Sequence, residues 1–78
     1  MPELVLYHFE WCPFCVKVRN YLKSRGIEIA EKDTMADPSA KQELFAATGR
    51  GQVPCLFIDG VPLFESGDII QWFEDNWD

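Results

Sequence analysis

A chain of 78 residues, 47% hydrophobic and 14% aromatic, has material for one compact core and is read as a single domain over residues 1–78. Seven Lys and Arg against thirteen Asp and Glu leave it at −6, which argues against the basic footprint of a nucleic-acid binder and fits a soluble surface. No apolar run approaches the roughly 20 residues that span a bilayer, and the Lys/Arg-led start of a secretory signal is missing. The expectation is a cytoplasmic chain that starts near Met1 and has no membrane contact.

Glu3 to Phe9 is a nearly continuous apolar run, suited to a strand buried on both faces. Pro13 falls where a helix can start, since its missing N–H would be unpaired there anyway. Phe14, Val18, Tyr21 and Leu22 recur at helical spacing up to Arg25, and Gly26 serves as the C′ residue. Ile27 to Asp33 alternates Ile27 and Ile29 against Glu28 and Glu31 and reads as a second strand. Asp37-Pro38 reads as an N-cap followed by proline at N1, opening a helix through Ala40, Leu44, Phe45 and Ala47 that stops at Gly49. Pro54 to Asp59 is a third strand, Asp59-Gly60 a hairpin turn, and Val61 to Phe64 a fourth strand in which Pro62 fits an edge position. Ser66 is expected to cap a last helix that buries Ile69, Ile70, Phe73 and Trp77. The order β-α-β-α-β-β-α joins the first two strands in parallel by a right-handed crossover and pairs the last two antiparallel. This is an α/β fold, a mixed four-stranded sheet flanked by three helices, the minimal thioredoxin-like architecture.

Three cysteines cannot form a fully paired structural framework within one chain, so they need another explanation. Cys12 and Cys15 form a C-x-x-C pair at the predicted junction of strand and helix. Thiolates do disulfide exchange, and cysteines at helix N-termini in such motifs ionise more readily than a free thiol. Unpaired N–H groups of the first turn and the positive end of the helix dipole favour negative charge on Cys12. Cys15 lies about one turn deeper, close enough to close a disulfide, and is expected to be more buried and less ionised. Cys12 is then the exposed attacking nucleophile and Cys15 the resolving thiol. Half a zinc site is the competing reading. His8, Cys12, Cys15 and Cys55 would have to supply four ligands, but His8 alternates away from its neighbours, so no metal is expected.

These residues resemble the glutaredoxin family across nearly the whole chain. Cys12-Pro13-Phe14-Cys15 looks like the family's dithiol C-P-[YF]-C pattern, although Trp11 is the thioredoxin-like choice before the first cysteine. Gly49-Arg50-Gly51-Gln52-Val53-Pro54 is similar to the family's G-R-x-x-V-P segment, in which the proline is cis and faces the cysteines. The resemblance implies glutathione as cosubstrate, in reduction of disulfide-containing or glutathionylated proteins by a monomer. It implies catalysis by Cys12 and Cys15, flanked by Pro13 and Phe14, and strand-like pairing of glutathione's cysteinyl part with Val53 and Pro54, beside Gln52. The start of the last helix, Ser66 and Gly67, would hold the γ-glutamyl carboxylate, and Asp68 or Glu65 its ammonium.

Two departures stand out. Phe64-Glu65-Ser66 replaces a Gly-Gly-x-Asp-type segment and instead resembles the Glu-Ser of the glutathione transferase N-terminal domain. Phe9 stands where many glutaredoxins have lysine, so Lys41, Gln42 or Arg50 would have to meet the glycyl carboxylate. Two other functions compete: a glutathione-ligated iron–sulfur carrier, disfavoured by the proline after Cys12, and an N-terminal domain of a glutathione transferase-like protein, disfavoured by the dithiol. Cys55 is read as core packing. Trp11 and Phe14 make either an exposed rim or a wedge between loops. Trp72, Phe73 and Trp77 anchor the last helix, whereas the acidic Glu74, Asp75 and Asp78 oppose its dipole without a functional account.

Overall fold

The computed structural model describes residues 2–77. Seven elements follow in chain order: β1 (Leu4–His8), α1 (Pro13–Ser24), β2 (Ala30–Asp33), α2 (Pro38–Thr48), β3 (Cys55–Ile58), β4 (Val61–Phe64) and α3 (Ser66–Asn76). The sheet order is β2-β1-β3-β4, with β1 parallel to β2 and antiparallel to β3, and β3 antiparallel to β4. This is the expected thioredoxin-like fold.

The apolar run of β1 is explained by its place. A strand with neighbours on both edges and helices on both faces has no side for polar residues. Leu4 and Leu6 join Val18 and Leu22 of α1 and Ile69 and Phe73 of α3 in one core cluster. Tyr7, from the other face of the strand, packs with Ala40 and Leu44 of α2 and with Cys55. The sheet therefore separates α1 and α3 from α2. Trp72 and Trp77 pack on Phe73 with ring centroids 5.1 and 5.8 Å away, so the aromatic anchor of α3 is as expected. Glu74 gains a role the sequence did not suggest, because Arg25, the C-cap of α1, pairs with it and also donates to Tyr21 Oη at 2.7 Å. Asp75 accepts from Gln71, and Asp78 lies outside the described residues.

β1, α1 and β3 are each shorter by a residue at an expected end, and two other boundaries differ from expectation for a structural reason. The second strand begins at Ala30, not Ile27. The Ile27 N–H donates to Leu22 O at 2.9 Å, which ties this segment to the end of α1, and Ile27 is buried as a core plug. Alternation over residues 27–31 thus reflected one buried loop residue as well as a strand. The last helix is capped at Glu65 rather than Ser66, with no side-chain capping bond. Ser66 is already the first helical residue and is buried. The other cap is as read: Asp37 Oδ1 accepts from Ser39 N–H at 3.0 Å, with Pro38 at the first helical position. Asp59 and Gly60 both have positive φ, +50° and +83°, as a tight hairpin turn with the twist of its strands requires.

Candidate active site

Strand direction gathers the site at one end of the sheet. β1 ends at His8, and Tyr7 lies opposite Cys55, so the loop after β1 and the loop before β3 emerge together. Cys55 in turn lies opposite Phe64, which brings the exit of β4, and with it Glu65 and Ser66, to the same end. The 9–12 loop, the 52–54 segment and the start of α3 are therefore neighbours although far apart in sequence.

Cys12 is the N-cap of α1, in extended conformation, and its N–H donates to Phe9 O. The Cys15 N–H donates to Cys12 Sγ at 3.3 Å. An N-cap side chain normally offers oxygen to this orphan donor; here sulfur takes that place. Cys15 is fully buried, and burial above all, with the Cys12 hydrogen bond next, pushes its thiol up to about 12 despite the Phe9 backbone N–H and Arg19. The unequal depth of the pair is as expected. The degree is not, because Cys12 itself is only 7% exposed. What stands out into solvent is the pair of aromatics beside it, Trp11 at 67% and Phe14 at 63%, so these residues form a rim and not a wedge. Trp11 leans on Phe9, the residue found where a lysine was looked for, with ring centroids 5.1 Å apart. All three cysteines are free thiols, and Cys55 is buried in the α2-side core, where burial pushes its thiol up to about 11.

A cleft of about 280 Å³ is lined by Phe14, which lies between the two cysteines in the chain, and by Gln52, Val53, Pro54, Glu65 and Ser66. The Val53–Pro54 peptide is cis. The cleft thus unites the helix that carries the cysteines, the proline loop and the start of α3. Gly67 and Asp68 continue α3 just beyond Ser66, and Pro13 follows Cys12 in α1. Lys41 is not brought to this cleft. It sits with Gln42 on another surface of α2, beside Pro38, Phe45 and Ala46. Arg50 is engaged elsewhere, with its guanidinium 4.3 Å from the Phe64 ring centroid and donating to Gln52 Oε1. Among the described residues, no cluster of three or more His, Cys, Asp or Glu side chains is arranged to hold a metal ion. His8 is buried with Nε2 3.5 Å from Glu31 Oε1. No helix of the described residues is long and apolar enough to cross a membrane.

A family model described as Glutaredoxin matches residues 4–63 of this chain. The chain belongs to the glutaredoxin family. A glutaredoxin from Pseudomonas aeruginosa is 31% identical over 58 residues, 74% of this chain and 69% of that protein. Glutaredoxin C1 from Populus tremula x tremuloides, solved in its holo form, matches the fold with a TM-score of 0.72 at 23% identity, over 96% of this chain and 77% of that one. Glutathione transferase Omega 3C from Trametes versicolor is similar too, with a TM-score of 0.79 at 28% identity, covering 96% of this chain but 34% of its own. That likeness is consistent with the Glu65-Ser66 segment. Family and fold together support a thiol–disulfide oxidoreductase that works with glutathione, in general terms.

Proposed function

We propose that this glutaredoxin-family protein reduces glutathionylated and disulfide-bonded proteins in the cytoplasm, acting as a monomer with glutathione as cosubstrate. The observation that carries the reading is one cleft lined jointly by Phe14, which lies between Cys12 and Cys15 in the chain, the 52–54 loop and Glu65-Ser66. The backbone of the cis Val53–Pro54 segment, just before β3, would pair with the cysteinyl part of glutathione, next to Gln52. Ser66 and Gly67, at the start of α3, would take the γ-glutamyl carboxylate, and Glu65 or Asp68 its ammonium. Phe14 walls the cysteine side, with Pro13 just before it in α1. Lys41, away from this cleft, has no part in the proposal.

The chemistry follows from the unequal thiols. The Cys12 thiolate attacks the glutathione sulfur of a protein–glutathione disulfide, forming a Cys12–glutathione disulfide and releasing the protein thiolate, which takes up a proton. The Cys15 N–H, aimed at Cys12 Sγ, favours the charged sulfur before attack and again when it leaves. A second glutathione thiolate then attacks the glutathione sulfur, giving glutathione disulfide and restoring the Cys12 thiolate. With a protein disulfide as substrate, Cys15 instead attacks Cys12 and expels the client. Two glutathiones then reduce the internal Cys12–Cys15 disulfide.

The test is a coupled assay with glutathione, glutathione reductase and NADPH on wild type, Cys12→Ser and Cys15→Ser. Cys12→Ser should be inactive, whereas Cys15→Ser should keep activity on glutathionylated substrates and lose it on protein disulfides. Activity in Cys12→Ser at the wild-type level overturns the assignment.

A further inference from the structure

The Gln52 side chain sits between a cation and an anion. Arg50 Nη1 donates to Gln52 Oε1 at 3.3 Å, and Gln52 Nε2 donates to Glu65 Oε1 at 3.3 Å. A carboxamide has one acceptor end and one donor end, so only one orientation serves both neighbours; the flipped amide would aim N–H at guanidinium and oxygen at carboxylate. Arg50 is itself held over the Phe64 ring, 4.3 Å from its centroid, which fixes the positive end of the chain. At the other end, Glu65 has φ +76°, a backbone conformation that L residues with a side chain rarely adopt. Such residues persist where surrounding structure over-determines them, most often at ligand sites. Glu65 also lines the cleft together with Gln52. Its Oε1 is engaged by Gln52, which leaves Oε2 to accept a donor from the ligand.

We propose that Arg50, Gln52 and Glu65 form a positioning relay that fixes the Glu65 carboxylate to receive a free α-ammonium, so that Gln52, without bonding that ammonium itself, makes the site select ligands with an unblocked γ-glutamyl end. The inference rests on the glutathione reading above and decides between its two candidate carboxylates in favour of Glu65 over Asp68. It also gives Arg50 a task other than the glycyl carboxylate. An acidic side chain hydrogen-bonded to Gln52 beside the start of α3 is how a helix start suited to a carboxylate also comes to hold the neighbouring ammonium.

The experiment compares two mixed-disulfide peptides, one glutathionylated and one carrying glutathione with its α-amine acetylated, on wild type, Gln52→Met, Glu65→Gln, the double variant and Asp68→Asn, each checked for fold by circular dichroism. Wild type should prefer the free amine by about tenfold in kcat/KM, chiefly through KM. Glu65→Gln should abolish that preference, Gln52→Met should cut it to about twofold, and the double variant should go no further than Glu65→Gln, as coupled residues do. Equal losses on both peptides in Gln52→Met overturn the relay, because they mean a general role in the loop. So does a preference that survives Glu65→Gln or vanishes in Asp68→Asn. Equal rates of wild type on both peptides also overturn it while leaving glutathione-dependent exchange standing. Wild type active on neither peptide contradicts the glutathione reading itself.

Discussion

Cys15 and Cys55 are both fully buried and both harder to ionise than a free thiol, for the same cause, yet only one is placed to react. Cys15 is one turn from Cys12, with its N–H on the Cys12 sulfur, whereas Cys55 packs with Tyr7, Ala40 and Leu44 on the other side of the sheet. The raised Cys15 value has a kinetic consequence. Burial, the largest cause and one that remains when Cys12 is in a mixed disulfide, keeps Cys15 mostly protonated at neutrality, so its thiolate fraction climbs tenfold per pH unit there. Expulsion of a client from Cys12 by Cys15 should therefore accelerate steadily between pH 6 and 9 without a plateau. Stopped-flow release of a chromophoric thiol from a preformed Cys12 mixed disulfide measures this; a plateau near pH 7 would mean that Cys15 ionises far more readily than its burial implies. The proximity of the two cysteines and the deeper burial of Cys15 were legible in the sequence, because a spacing of three on a helix dictates both. The slight exposure of Cys12 was not, since solvent access depends on packing between segments distant in the chain. Glu65 and Gln52 were each expected at one site and do line one cleft, but their bond was hidden because it depends on the Cys55–Phe64 register.

Local chemistry at the element ends explains which boundaries could be read. Asp37-Pro38 states a helix start twice, through a side-chain acceptor and through a missing N–H, and α2 begins there. The Ser39 hydroxyl and N–H both donate to Asp37 Oδ1 and hold its carboxyl below the usual carboxylate range. A lowered value in the folded state means stability that is present at neutral pH and lost as pH falls through that value. Asp37→Ala should lower Tm by on the order of 4 °C at pH 7. The gap should begin to narrow as pH drops below about 3.9, the unfolded carboxyl's value, and close once pH has fallen through the lower value of the folded cap. A gap that is unchanged at pH 2.5 would assign the loss to something other than the carboxylate. The misread ends have an equally local cause. At α3 the serine was the expected cap, and the positive φ of Glu65, which the sequence does not announce, makes Ser66 already helical. At β2 the alternating pattern ran on into a loop whose Ile27 is buried for its own reasons.

At the scale of the whole molecule the topology was the most readable level, because each connection had one sensible solution. A crossover helix makes β1 and β2 parallel, a two-residue turn makes β3 and β4 antiparallel, and a doubly buried β1 must sit in the middle. That order alone puts the cysteines, the proline loop and the start of α3 at one end of the sheet, so placement of the site is a consequence of strand direction. Charge is the counterpart that topology does not set. A chain at −6 with Phe9 in place of a lysine and with Arg50 on Phe64 leaves the helix terminus as the positive feature facing Cys12. The central claim, that this terminus makes Cys12 the sulfur that accepts glutathione, is tested most directly by trapping. Cys15→Ser is mixed with a glutathionylated peptide in the absence of free glutathione, quenched with acid and mapped by mass spectrometry after digestion. The account predicts one glutathione per chain, on the peptide containing Cys12, with the client peptide released as a free thiol. Glutathione on Cys55, or the client peptide itself attached to Cys12, would contradict it.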